Sequence, residues 1–96
     1  MSGVEFEWDP AKAIANLAKH GVTFEEALTV FMDPIARIHA DPDHSEAESR
    51  EIIVGHSIHQ RLLLVSFAER GERVRLISAR LATKRERRDY EEKGKE

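Results

Sequence analysis

The stretch Arg61-Leu62-Leu63-Leu64-Val65-Ser66-Phe67 constrains this chain more than any other. It is apolar at odd and even positions alike, whereas a strand with one wetted face alternates. It therefore predicts a central strand covered on both sides. Glu51 to Ile58 reads as the strand before it, with Ile52, Val54 and Ile58 on one face, and His59-Gln60 as the tight reversal of a hairpin. Glu69-Arg70-Gly71-Glu72 is the next turn, and Arg73 to Ala79 the strand that follows. Ile35 to Ala40 is a further short strand.

Two amphipathic helices ahead of these strands supply the cover. Val4-Glu5-Phe6-Glu7-Trp8 alternates acid with apolar, as a half-buried strand does. Asp9-Pro10 then starts a helix, since Asp9 caps free N–H groups and proline suits the first helical position. Ala13, Ile14, Leu17 and Ala18 form its apolar stripe, Lys19 and His20 its last turn, and Gly21 its left-handed stop. Thr23-Phe24-Glu25-Glu26 is a capping box for a second helix that buries Ala27, Leu28, Val30 and Phe31 and ends at Asp33-Pro34. Asp41 to Glu48 is a polar loop with one helical turn expected from Ser45. Thr83-Lys84-Arg85-Glu86 opens a last helix running to Lys93, before Gly94. The expected architecture is a single α+β domain over residues 1–96. Its antiparallel sheet is covered on one face by the two N-terminal helices, with the short C-terminal helix at an edge or on the other face.

The net charge of −3 hides an uneven distribution. Residues 61–88 hold nine Lys/Arg against three acids, a local charge of +6, while residues 1–60 hold four against eleven. Such a segment attracts polyanions, either RNA or an acidic protein surface. With no cysteine in the chain, disulfides, thiolate metal sites and a thiol nucleophile are excluded. No apolar run approaches the ~20 residues that span a bilayer. Met1-Ser2-Gly3-Val4-Glu5 lacks the features of a secretion signal, so a cytoplasmic location is expected. His39, Asp41, Asp43 and His44 form a loose group of metal-ligand types, but Asp-Pro-Asp is ordinary turn chemistry and the spacing supports no metal site. No cofactor is expected.

Several stretches together resemble the BrnT family of toxins from bacterial type II toxin–antitoxin systems. They are Phe6-Glu7-Trp8-Asp9-Pro10-Ala11-Lys12, Asn16-Leu17-Ala18-Lys19-His20-Gly21-Val22, Phe24-Glu25-Glu26-Ala27 and Phe31-Met32-Asp33-Pro34. Later come Asp43-His44-Ser45 with Glu48 and Arg50, Gly55, Glu69-Arg70-Gly71, Ile77-Ser78-Ala79-Arg80, and then Ala82, Glu86, Arg87 and Tyr90. Each piece is weak alone; their order and spacing over nearly the whole chain make the resemblance specific. It implies a RelE-like fold and a ribonuclease that arrests translation. It also implies neutralisation by a BrnA-like antitoxin, whose DNA-binding end lets the complex repress its own operon.

RNA can be cleaved without a metal when the 2′-hydroxyl attacks the adjacent phosphorus, a base takes its proton, an acid protonates the leaving 5′-oxygen, and fixed cations hold the extra negative charge. Arginine suits that last task because its planar fork holds two phosphate oxygens at once. Following the RelE-like pattern of several arginines on a sheet, Arg80 is the first candidate, with Arg61 and Arg70 beside it. Simple alternation puts Arg80 on one face with Val74, Leu76 and Ser78, and Arg73 and Arg75 on the other. The competing reading pairs Arg80 with an acid from a helix. Lys84, Arg85, Arg88 and Tyr90 on the last helix, with Lys19, are candidate RNA contacts; a solvated helix face is the alternative. Glu69 and His20 are candidates for proton transfer, although His20 equally caps a helix end. A non-catalytic protein- or nucleic-acid-binding module fits the same residues.

Overall fold

A computed structural model of the chain describes residues 4–42 and 49–93. Its centre is strand β4 (Leu62–Arg70), flanked by β3 (Arg50–His56) and β5 (Arg73–Leu81), with β2 (Arg37–Ala40) and β1 (Glu5–Glu7) at the edges. The sheet order is β1-β5-β4-β3-β2, and every pair is antiparallel except β1 with β5, which is parallel. The sheet is therefore mixed and mostly antiparallel. Helices α1 (Pro10–His20) and α2 (Phe24–Thr29) follow β1, a short 3-10 turn continues α2 over Val30–Met32, and α3 (Lys84–Lys93) closes the described chain. The expected turn at Ser45, Gly94 as helix stop, and Asp43 and His44 lie outside the described residues.

The two-sided apolar pattern of β4 has the two covers it requires. Leu63, Val65 and Phe67 pack with Val22, Phe24, Ala27, Val30, Ile53 and Leu76 in the larger core beneath the N-terminal helices. Aromatic edges tie the layers together: Phe31 lies 5.0 Å from Phe6 and 5.1 Å from Phe67 between ring centres, and Trp8 lies 5.7 Å from Phe24. On the opposite face Leu62 and Val54 pack against Tyr90 of α3 in a smaller core, with Ile52 and Leu64 half-buried beside them. The last helix thus takes the other face rather than an edge.

Helix α1 departs from the expected stripe. Ile14 is 73% exposed and Leu17 48%, while Asn16 is 6% exposed. The reason is a hydrogen-bond requirement. Strand β1 reaches only as far as Arg75 along β5, which leaves the outer edge of Ala79 without a strand partner. The Asn16 amide substitutes for one: its Nδ2 donates to the Ala79 carbonyl at 2.9 Å, and its Oδ1 accepts from the Ala79 N–H at 3.0 Å. Leaving both backbone groups of Ala79 buried and unpaired would cost about 1–3 kcal/mol each, enough to offset the burial forgone at the partly exposed Ile14 and Leu17.

Gly55 lies where β3 passes the segment after α2. A Cβ there would sit 2.8 Å from Ala36 Cβ, 3.0 Å from Asp33 Oδ2 and 3.1 Å from Val30 Cγ1. Asp33 is itself fixed, since its Oδ2 accepts from the His56 N–H at 2.8 Å. Gly55→Ala should therefore destabilise the fold by about 1–3 kcal/mol, read as a lower urea midpoint; an unchanged midpoint would mean that the segment yields freely.

Candidate functional site

The face of the sheet that carries α3 bears a cleft whose geometry depends on one irregularity. Ser66 pairs with Ser78, yet the next residue of β4, Phe67, pairs with Leu76, so Ile77 is an extra residue in β5. A bulge of this kind reverses which side chains face which way. Val74 and Leu76 point into the larger core, whereas Ser78 and Arg80 join Arg73 and Arg75 on the opposite face. This corrects the alternation read from the sequence, which separated Arg80 from Arg73 and Arg75.

The three arginines that β5 places on that face meet carboxylates. Arg73 lies 3.3 Å from Glu5 and 3.2 Å from Glu7, and Arg75 lies 3.7 Å from Glu7, across the parallel β1–β5 pair. Arg80 is held by Glu86 through two parallel bonds, Nη1 to Oε1 at 2.8 Å and Nη2 to Oε2 at 2.9 Å. The position of Glu86 is set by a complete capping box. Thr83 Oγ1 accepts from the Glu86 N–H at 3.1 Å, and Glu86 Oε1 accepts from the Thr83 N–H at 2.9 Å. The Arg80 guanidinium outweighs burial and, helped by the Thr83 N–H, holds the Glu86 carboxyl down at about 2, and the carboxylate in turn raises Arg80. The pair sits at the wall of a cleft of about 400 Å³ that continues into a neighbouring lobe of about 260 Å³; the two share Asp41, Ile52, Leu64 and Arg80. Ile52 and Leu64 form an apolar floor, with Arg37, His39, Arg50, Asp89 and Lys93 around it. A two-oxygen anion on an arginine fork beside an apolar floor is the arrangement that would receive a phosphodiester.

A model of the family described as "Ribonuclease toxin, BrnT, of type II toxin-antitoxin system" matches residues 8–86. The chain belongs to the BrnT family. It is thus a ribonuclease toxin of that family, and membership implies an RNA substrate and a cognate antitoxin. The fold agrees. The crystal structure of the Brucella abortus ribonuclease toxin BrnT superposes with a TM-score of 0.65 at 24% identity, covering 85% of this chain and all of that one. No curated protein sequence gives a significant match.

Within this BrnT-family fold the sequence candidates separate. Arg80 and Tyr90 line the cleft. Arg61 does not reach it: its guanidinium turns to the helix side, where it bonds both oxygens of buried Glu26 and donates to the Gly21 carbonyl at 3.2 Å. Those bonds hold the Glu26 carboxyl below its ordinary range and explain why the Thr23 capping box is half-made. Thr23 Oγ1 accepts from the Glu26 N–H, but the carboxylate is turned inward to Arg61 and Ser57. Arg70 and Glu69 lie at the far tip of the β4–β5 hairpin, Arg70 opposite Arg73 and Glu69 opposite Val74. Lys19 and His20 end α1 on the helix side. On α3 the cleft is lined by Glu86, Asp89, Tyr90 and Lys93, one helical face, while Lys84, Arg85 and Arg88 are exposed outside it. His39 and Asp41 line the cleft, and among the described residues no three metal-ligand types converge.

Sequence reading missed Arg37, Arg50 and Lys93 as cleft residues; its competing reading, that Arg80 pairs with an acid from a helix, is met by Glu86, which it did not name. The Thr83-x-x-Glu86 spacing was the signal for Glu86, since a capping box places its glutamate at the helix N-terminus next to the strand end. Glu86 holds its charge from neutral pH down to about 2, so the stability it adds is fully present above its ordinary value of 4.5 and lost as the pH falls towards 2. Glu86→Gln should cost about 1 kcal/mol at pH 7 and progressively less below pH ~4.5 in urea unfolding. A cost that stays constant down to pH ~2 would refute the assignment.

Proposed function

We propose that this chain cleaves RNA without a metal, by attack of the 2′-hydroxyl on the adjacent phosphorus, in the cleft at Arg80. The observation that carries this reading is the two-point Arg80–Glu86 pair on the cleft wall. A phosphodiester presents the same pair of anionic oxygens and exchanges for Glu86 on the guanidinium. The exchange leaves charge stabilisation to Arg80 in a site partly screened from water. It also frees the carboxylate from its cation beside the reacting group, where its proton affinity rises: it accepts the 2′-hydroxyl proton as the O2′–P bond forms and returns it to the 5′-oxygen as the P–O5′ bond breaks. The toxin then acts on cytoplasmic RNA to arrest translation. A BrnA-type antitoxin neutralises it, and its DNA-binding end carries the complex to the operator.

The test is the chemistry of the fragments made by the purified chain. Attack by the 2′-hydroxyl must leave a 2′,3′-cyclic phosphate, opening to a 3′-phosphate, and a 5′-hydroxyl, with equal rates with and without EDTA. Fragments with 3′-hydroxyl and 5′-phosphate ends, or a rate abolished by EDTA and restored by a divalent ion, would overturn it. RNA bound but left intact would favour the non-catalytic module.

A further inference from the structure

The register of the sheet puts Arg37, Val54, Leu64 and Arg80 in one transverse row across β2, β3, β4 and β5. The two arginines end that row from opposite sides of the apolar floor. Both lean onto α3: Arg80 onto Glu86, and Arg37 with its guanidinium carbon 5.1 Å from the Tyr90 ring centre. Positions 86 and 90 are one turn apart, so the two docking points are about 5–6 Å apart along the helix. Arg37 lies over the Tyr90 ring as a cation–π contact, and among the described residues its guanidinium makes no ion pair. A guanidinium placed over a ring uses its charge there and keeps its N–H donors for other partners, and among the described residues none of them is engaged. Tyr90 is set by burial and by its hydroxyl, which donates to the Ile35 carbonyl at 3.2 Å, so the platform under Arg37 is preformed.

We infer that this half of the cleft is a nucleobase subsite for guanine, adjoining the phosphate position at Arg80; it rests on the reading of the cleft as the place where RNA is held. A flat apolar surface such as Ile52 and Leu64 receives the face of a base. An arginine edge offers two donors, and guanine is the base that meets them with two acceptors, O6 and N7. Asp89, one turn of α3 before Lys93, supplies on the same cleft wall a carboxylate of the kind that accepts guanine's own N–H donors. The base is thereby read at Arg37 while the backbone is held at Arg80.

The experiment uses the full chain, methyl-labelled at isoleucine and leucine, titrated with the 3′- and 5′-monophosphates of the four nucleosides and with ribose 5-phosphate. Binding does not depend on cleavage. At least one guanosine monophosphate should bind at least fivefold more tightly than ribose 5-phosphate and than the other bases, and should shift the Ile52 and Leu64 methyls. Arg37→Met should abolish that preference and leave ribose 5-phosphate within twofold. Arg37→Lys, which keeps the charge over Tyr90, should lose the preference as well. Arg80→Met should weaken all the monophosphates together. Equal affinities with and without a base, a preference for another base, or a preference surviving Arg37→Met would overturn the subsite. So would methyls that respond to the cognate antitoxin and to no nucleotide, which would give the floor to the protein partner. If Arg80→Met changes no affinity while the guanine preference stands, the subsite holds and the phosphate position fails.

Discussion

Replacing Arg80 with methionine should lower the rate of RNA cleavage about 10²–10³-fold, the usual consequence of removing one preorganised donor from developing negative charge. The fold should survive. The Arg80 and Glu86 side chains are 41% and 33% exposed, and a pair so open to water contributes no more than about 1 kcal/mol. In cells the same change should convert growth arrest on induction into normal growth, without help from a co-expressed antitoxin. Arg80→Lys sharpens the result, because it keeps the charge but loses the fork; it should recover only a small part of the rate. A variant cleaving within threefold of the parent would remove Arg80 from the mechanism. A variant that is inactive because it is unfolded would show this in its circular dichroism.

The second large effect is expected on the opposite side of the sheet. Arg61→Met leaves Glu26, a buried carboxylate, with one side-chain donor among the described residues, the Ser57 hydroxyl at 2.7 Å. Breaking a buried pair from one side costs about 3 kcal/mol; with the Arg61 side chain 37% exposed, water screens part of this, leaving about 2 kcal/mol, or a fall in Tm of roughly 8–16 °C for a domain of this size. The pH dependence identifies the cause. Because Arg61 holds the folded Glu26 carboxyl below its ordinary value, the stabilisation is fully present above that ordinary value and is lost as the pH falls on through the lowered, folded one. In the variant the orphaned carboxylate takes up a proton more readily, so the deficit should be largest at neutral pH and shrink in acid. Glu26→Gln should rescue part of the loss in the Arg61→Met background but not in the parent. A deficit that ignores pH, or a Tm within ~2 °C of the parent, would show that the network carries no such weight.

These two arginines illustrate what could be read without a structure. Both belong to the same basic segment, and residue type alone gave no reason to separate them. The central strand, the helix starts at Asp9 and Thr23 and the reversal at Gly71 were legible because each depends on local spacing. Those signals located the α+β layers and left the side taken by α3, the parallel pairing of β1 with β5 and the inward face of α1 to be found. The site was less legible because it depends on relations between distant residues. Arg37 and Arg80 meet through the register of four strands, and Asn16 is buried because β1 stops short. Arg61 is drawn to the helix side by a glutamate 35 positions earlier. Helix α1 misled in the same way: Ile14 and Leu17 have the spacing of a core stripe, but the unpaired edge of Ala79 decided which face turned inward.

The extra residue at Ile77 has a consequence for how members of this family are compared and rebuilt. It makes the distance between Leu76 and Arg80 carry information independently of the residues themselves. Deleting one position there would leave the composition almost untouched, yet it would drive the guanidinium towards the interior and bring an apolar side chain out in its place. An alignment that closes a gap at this point by matching similar letters would equate residues facing opposite ways. Grafting the cleft onto another sheet would therefore require copying the strand's count before copying its chemistry.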